Sequence, residues 1–215
     1  MIYLLSPLQK EGCLHLPMID FSLIEEELVL DAYDLLMFTS KQAVKSVEAL
    51  NQNWKKIPSL AIGASTAAEI KRLGGTVLYQ PRSFYGKSLS KDIIEKFSDK
   101  QILYLRPKVL SFDSKNFLAQ AGIELHEKII YETFCIKYTK ESTPEKNAII
   151  IFTSPSTIHC FLENFEWDFS YTAIVIGEAT KEHLPDNVVY EVADKPQIDA
   201  CISKAKEILI TSNSK

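Results

Sequence analysis

Two short blocks of this chain occur twice in one register, and that duplication limits what the chain can fold into. LLMFTSKQAV at 35–44 returns as IIIFTSPSTI at 149–158, and AIGASTA at 61–67 returns as VIGEATK at 175–181. Phe38, Thr39 and Ser40 match Phe152, Thr153 and Ser154, while Ile62, Gly63 and Thr66 match Ile176, Gly177 and Thr180. Every pair lies 114 residues apart (38 to 152, 66 to 180). Identities that keep one spacing across two separated blocks point to an internal duplication. A period this long is that of a domain, not of a solenoid repeat.

The surroundings of the blocks give the fold class. Apolar runs of four to six residues, rich in β-branched side chains, read as strands buried on both faces, the pattern of a parallel sheet. They fall near 2–5, 15–19, 34–39, 57–62, 75–79, 101–105, 123–130, 147–152, 172–176 and 187–192. Amphipathic helices fill the intervals: Ala43, Val44, Val47 and Leu50 share a face, as do Ile158, Phe161, Leu162 and Phe165. Ile198, Cys201, Ile202, Ala205, Ile208 and Leu209 make the longest stripe. Gly74-Gly75 and Gly122 stand where helices end. Alternating strand and helix predicts an α/β protein with two five-stranded, mainly parallel sheets, one per domain.

Composition narrows the function. The net charge of −4 and the lack of a basic run exclude a nucleic-acid footprint. An anionic ligand must then be held by local groups. The opening MIYLLSPL is too short in apolar residues for a signal peptide or a membrane span, and no membrane partner is expected. Cys13, Cys135, Cys160 and Cys201 sit singly, so reduced packing cysteines in a cytoplasm are expected. His15, His126, His159 and His183 show no ligand spacing, and no metal is expected. Glu25-Glu26-Glu27 reads as a solvated face, Trp54 and Trp167 as packing. Dinucleotide, P-loop and nucleophile-elbow motifs are missing.

Each repeated block joins a strand end to a helix start through hydroxyl residues. Ser40 precedes a helical pattern, and Ser154 precedes Pro155, a residue favoured in the first helical turn. Thr66 with Glu69 has the form of a capping box. Gly63 and Gly177 allow close approach of a ligand to the backbone. Ligands of open α/β sheets bind beyond the carboxyl ends of the strands, where helix N-termini suit carboxylate or phosphate. Two domains would offer four such termini. The same residues also serve as ordinary caps that need no ligand. What favours a ligand is the matched pairing in both halves.

DLLMFTSKQAV, AIGASTAAEIKRLG, ILYLRPK, IIYETF, IIIFTSPSTIHCF and AIVIGEAT, in this order along nearly the whole chain, resemble the uroporphyrinogen-III synthase family. The resemblance implies two similar three-layer α/β/α domains with a swapped chain course, residues 1–19 plus 135–215 forming one and residues 20–134 the other. Two crossings, near 19–22 and 133–137, would make a hinge. It implies as substrate hydroxymethylbilane, an open tetrapyrrole with eight carboxylates, closed to uroporphyrinogen III with ring D inverted and water lost through a spiro intermediate. No metal or organic cofactor is implied. Tyr131 in IIYETF would be the catalytic proton donor. Thr39, Ser40, Lys41, Gly63, Thr66, Arg106, Ser154, Ser156, Gly177 and Thr180 would bind substrate. Tyr131 is equally readable as a core tyrosine, and Lys41 and Arg106 as surface cations. A cytoplasmic monomer in transient contact with the preceding hydroxymethylbilane synthase completes the expectation. The alternatives are a non-catalytic anion clamp and a duplicated domain that mediates protein contacts.

Overall fold

The computed structural model describes residues 1–24, 27–83 and 85–212; Glu25 and Glu26, expected on a solvated face, lie outside them. In chain order the strands are β1 (Ile2–Leu4), β2 (Leu14–His15), β3 (Ile19–Leu23), β4 (Leu35–Phe38), β5 (Ser59–Ala61), β6 (Val77–Tyr79), β7 (Ile102–Pro107), β8 (Leu125–Cys135), β9 (Ile149–Phe152), β10 (Thr172–Val175) and β11 (Val189–Val192). The helices are α1 (Lys41–Leu50), α2 (Ala64–Arg72), α3 (Gly86–Lys96), α4 (Ser114–Ala119), α5 (Pro155–Asn164), α6 (Glu178–Lys181) and α7 (Ile198–Ser212). By contacts the chain divides into two compact units, Met1–Asp20 with Phe134–Lys215, and Phe21–Thr133.

Each unit has its own sheet. One runs β11-β10-β9-β1-β2, with every neighbouring pair parallel. The other runs β3-β8-β7-β4-β5-β6, parallel from β8 to β6. It has six strands, not the five expected. The single strand foreseen at 15–19 is split: Leu14–His15 pairs in the first sheet, and Ile19–Leu23 forms an edge of the second. Pro17 stands between them without an N–H to give, so Leu16 N–H and Met18 N–H bond the carbonyls of Leu4 and Leu5 instead. An unbroken apolar run does not show in sequence where it changes sheets.

The duplication is carried into the hydrogen-bond ladders. In the first sheet Ile150, Ile151 and Phe152 face Ala173, Ile174 and Val175. In the second, Leu36, Met37 and Phe38 face Ser59, Leu60 and Ala61, each 114 residues earlier (36 to 150, 59 to 173). The correspondence reaches a strand that the sequence blocks do not include. β1 pairs with β9 as β7 pairs with β4, so Ile2, Tyr3 and Leu4 take the places of Ile102, Leu103 and Tyr104. Read on that register, IYLLSP at 2–7 echoes ILYLRP at 102–107, with Ser6 in the place of Arg106 and Pro7 in that of Pro107.

Strand side chains alternate between faces, and helices cover both. In the second unit Leu36, Phe38 and Ala61 pack with Ala43, Val44 and Val47 of α1 and Ile70 of α2. Leu35, Met37, Leu60 and Tyr104 pack with Leu89 and Ile93 of α3 and Leu118 of α4. In the first unit Ile2, Leu4, Ile149, Ile151 and Ile174 pack against Cys201, Ile202 and Ala205 of α7. Phe152 meets Phe161 of α5 edge-on, and Trp167 and Tyr171 extend this aromatic group. Gly74 and Gly122 take the left-handed conformation after α2 and α4 (φ +89° and +75°), the backbone that lets a helix stop there.

The cysteines depart from expectation. Cys135, at the end of β8, and Cys160, in α5, form a disulfide, while Cys13 and Cys201 are free. They are 25 residues apart in the chain, but the fold brings their Cα atoms to 5.2 Å, within bridging range.

Candidate active site

Strand order places the site in each unit. In the second, the chain leaves β4 toward β5 and β6, then returns to the other side of β4 with β7 and β8. The carboxyl ends of β4 and β7 therefore flank a topological switch point, the place where open α/β sheets bind ligands. Thr39 and Ser40 follow β4 directly, and Arg106 lies at the end of β7. The first unit switches between β9 and β1, where Thr153, Ser154 and Ser6 take the matching positions.

At the second unit's switch point each hydroxyl of the Thr39–Ser40 pair meets a phenol. Thr39 Oγ1 lies 2.7 Å from the Tyr104 hydroxyl, on the α3 side of the sheet. Ser40 Oγ lies 2.8 Å from the Tyr131 hydroxyl, on the α1 side, and accepts the Ala43 N–H at 3.0 Å as the N-cap of α1. Phe21 meets the Tyr131 ring edge-on at 5.8 Å. Burial raises the Tyr131 phenol above its ordinary pKa, with the Ser40 hydrogen bond pulling the other way. Burial pushes Tyr104 up to about 12. Both phenols keep their protons at neutral pH, so either is a donor and neither is a base.

Arg106 is engaged by the protein itself. Its Nε lies 3.2 Å from Glu127 Oε2, and its Nη1 donates to the carbonyls of Pro107 and Lys108. Both side chains are largely buried, which strengthens the attraction between them while each loses hydration. Lys41, the first residue of α1, is exposed.

The second repeated block differs from its sequence reading. Thr66 does not cap a helix: α2 starts at Ala64 with Gly63 as N-cap, and Thr66 is buried in its first turn, 2% exposed. Glu69, its expected capping-box partner, turns to Arg72 with bonds of 3.0 and 2.8 Å, and this ion pair lowers the carboxyl's pKa. The small residues Gly63, Ala64 and Ser65 let the helix begin three residues earlier than the hydroxyl signal suggested. In the first unit, Gly177 and Thr180 hold the matching places around α6, which is a single turn, so one of the four expected helix termini is short. Ser154 caps α5 with a reciprocal bond to Thr157, and Ser156 Oγ lies 3.3 Å from Ser154 Oγ.

The fold also brings in residues that sequence reading passed over. Tyr104 and Glu127 join the second unit's switch point. Ser6 joins the first, its carbonyl accepting from His15 Nε2 at 2.9 Å. The one sequence signal for Ser6 is the echo of 102–107 in 2–7, which becomes visible only on the ladder register. Among the described residues, no group of three or more His, Cys, Asp or Glu side chains is placed to hold a metal ion.

A family model described as uroporphyrinogen-III synthase HemD matches residues 9–203. The chain belongs to the uroporphyrinogen-III synthase family. A solved uroporphyrinogen-III synthetase from Helicobacter pylori is 26% identical over 96% of this chain and 98% of that one, with a TM-score of 0.82. A mutant uroporphyrinogen III synthase from the extremely thermophilic bacterium Thermus thermophilus shares the fold at 13% identity, covering 98% of both chains with a TM-score of 0.61. No curated protein sequence matches significantly. The family's activity is a cyclising lyase step of porphyrin biosynthesis, the closure of hydroxymethylbilane to uroporphyrinogen III. Membership favours this over a non-catalytic clamp. No helix of the described residues is long and apolar enough to cross a membrane.

Proposed function

We propose that Tyr131 donates the proton on which ring closure depends, and that the hydroxyl groups of both units bind the substrate's carboxylates. The observation that carries this reading is the Tyr131 hydroxyl itself. It keeps its proton at neutral pH, lies near the carboxyl ends of the central strands, and is tied to the N-cap of α1.

The bilane's terminal hydroxyl is a poor leaving group. As its carbon–oxygen bond breaks, the adjacent pyrrole nitrogen supplies electrons and Tyr131 supplies a proton, so that water departs and an N-protonated azafulvene cation remains beside the phenolate. The ring-D carbon that bears the bridge attacks the azafulvene, forming a spiro intermediate that fragments and recloses with ring D inverted. The proton released as the last ring regains aromaticity restores the phenol. Closure without the enzyme joins the ends uninverted, giving isomer I, so orientation of the folded bilane is the larger part of the task. Thr39, Ser40, Gly63 and Thr66 in one unit and Ser154, Ser156, Gly177 and Thr180 in the other supply that orientation by holding carboxylates at strand ends and helix starts. Lys41 supplies an unburied cation. Arg106, already paired with Glu127, acts through the loop it holds.

The chain course, with residues 1–19 and 135–215 as one domain and 20–134 as the other, leaves two crossings at which the domains would hinge around the substrate. A monomer receiving hydroxymethylbilane from the synthase that precedes it fits this chemistry.

Replacing Tyr131 with Phe removes one oxygen and should lower kcat by about 10²-fold, the low end of general-acid catalysis, with the thermal midpoint little changed. Wild-type turnover in that variant would refute the donor assignment.

A further inference from the structure

The duplicated units carry the same hydroxyl device with different partners. Ser40 and Ser154 are equivalent by ladder register, and each caps a ten-residue helix with an extended backbone and a side-chain oxygen that accepts the third helical N–H. Only Ser40 also reaches a phenol, at 2.8 Å. Ser154 Oγ instead faces Ser156 Oγ at 3.3 Å, and Leu4 stands where the second unit has Tyr104.

Two hydrogen arrangements satisfy the Ser40–Tyr131 contact, and a ligand that accepts from the phenol selects one. Ser40 Oγ already accepts the Ala43 N–H at the positive end of α1. Alone, the phenol is the stronger donor of the two, but accepting that bond polarises the Ser40 O–H and occupies a lone pair of its oxygen, so a ligand that accepts from Tyr131 leaves Ser40 to donate. Donating to the Tyr131 oxygen then frees the phenolic proton for a ligand. With such a ligand in place the chain runs in one sense: Ala43 N–H to Ser40, Ser40 O–H to Tyr131, Tyr131 O–H to the ligand. When the phenol gives up its proton, the oxygen left behind already accepts a hydrogen bond, which becomes charge-assisted and gains from the helix dipole.

We propose that Ser40 is a positioning residue for Tyr131, directing its proton outward and stabilising the phenolate formed on transfer, while its twin Ser154 serves binding alone. The inference rests on Tyr131 as the donor and adds the group that makes the donor competent. It also places proton transfer in one unit of a duplicated scaffold.

The twin serine supplies the control, because Ser40→Ala and Ser154→Ala each remove one equivalent cap and should lower the thermal midpoint alike. With hydroxymethylbilane as substrate, Ser40→Ala should lower kcat about tenfold while raising KM only about threefold, and Ser40→Thr, which keeps the hydroxyl, should recover most of the loss. Ser154→Ala should raise KM about threefold as well, with a kcat loss well below that of Ser40→Ala. The double variant Ser40→Ala/Tyr131→Phe should be no slower than Tyr131→Phe alone, since the serine then has no phenol to serve. Multiplicative losses in the double variant, or equal kcat losses in Ser40→Ala and Ser154→Ala, would overturn the positioning role while leaving Tyr131 as donor. Wild-type kcat in Tyr131→Phe would overturn the donor reading and this inference with it.

Discussion

Tyr104 and Tyr131 lie at neighbouring strands, each bonded to one hydroxyl of the Thr39–Ser40 pair, and burial acts on both. In the unfolded chain a phenol titrates near 10, whereas folded Tyr104 keeps its proton to about 12. Its contribution to stability is therefore complete below pH 10 and lost as pH rises toward 12, by on the order of 1.4 kcal/mol per pH unit. The thermal midpoint should fall across that interval, and Tyr104→Phe should flatten part of the fall; an unchanged slope would show that the phenol is not held neutral. Thr66, buried in the first turn of α2, should cost about 1 kcal/mol of stability and raise KM when replaced by Ala, measured by chemical denaturation and initial rates. Hydroxyls at helix starts were legible at this scale because capping is a local preference. Their partners were not. Tyr104 is 65 residues from Thr39 and Tyr131 is 91 from Ser40, and Glu69 chose an arginine over a cap because α2 began earlier than Thr66.

Among the elements, the turn after α2 is set by contact as well as conformation. A Cβ at Gly75 would stand 2.4 Å from the Trp54 ring and 3.0 Å from Ile70, both buried. Gly75→Ala should thus destabilise by about 1–3 kcal/mol through overpacking, seen as a lower denaturation midpoint. Trp54 has little freedom to retreat, since its indole N–H donates to Glu48 at 2.8 Å. The disulfide predicts that the denatured, unreduced protein presents two alkylatable thiols, Cys13 and Cys201, and four after reduction. Apolar runs located the central strands because burial on both faces leaves a continuous signal. They failed at 15–19, where the run continues across Pro17 while the chain changes sheets. They also gave no sign of the Cys135–Cys160 bond, which depends on where β8 ends relative to α5.

For the whole molecule, the duplication was the most legible feature, and the ladders show why it persisted. A shift of one residue would turn each strand's side chains to the opposite face, so two copies of one sheet preserve their register even as their residues diverge. The part that escaped sequence reading was the echo of 102–107 in 2–7, because β1 opens the first unit whereas β7 follows β4 in the second. On the ladder register each unit is a copy of the same fold with unequal side chains: phenols and an arginine–glutamate pair in one, serines and a histidine in the other. The protein closes hydroxymethylbilane with ring D inverted. The most direct test supplies freshly prepared hydroxymethylbilane, oxidises the products to porphyrins and resolves isomers I and III by chromatography. Isomer III should predominate in proportion to the protein added; isomer I alone, formed at the rate seen without protein, would show that the protein does not direct the closure.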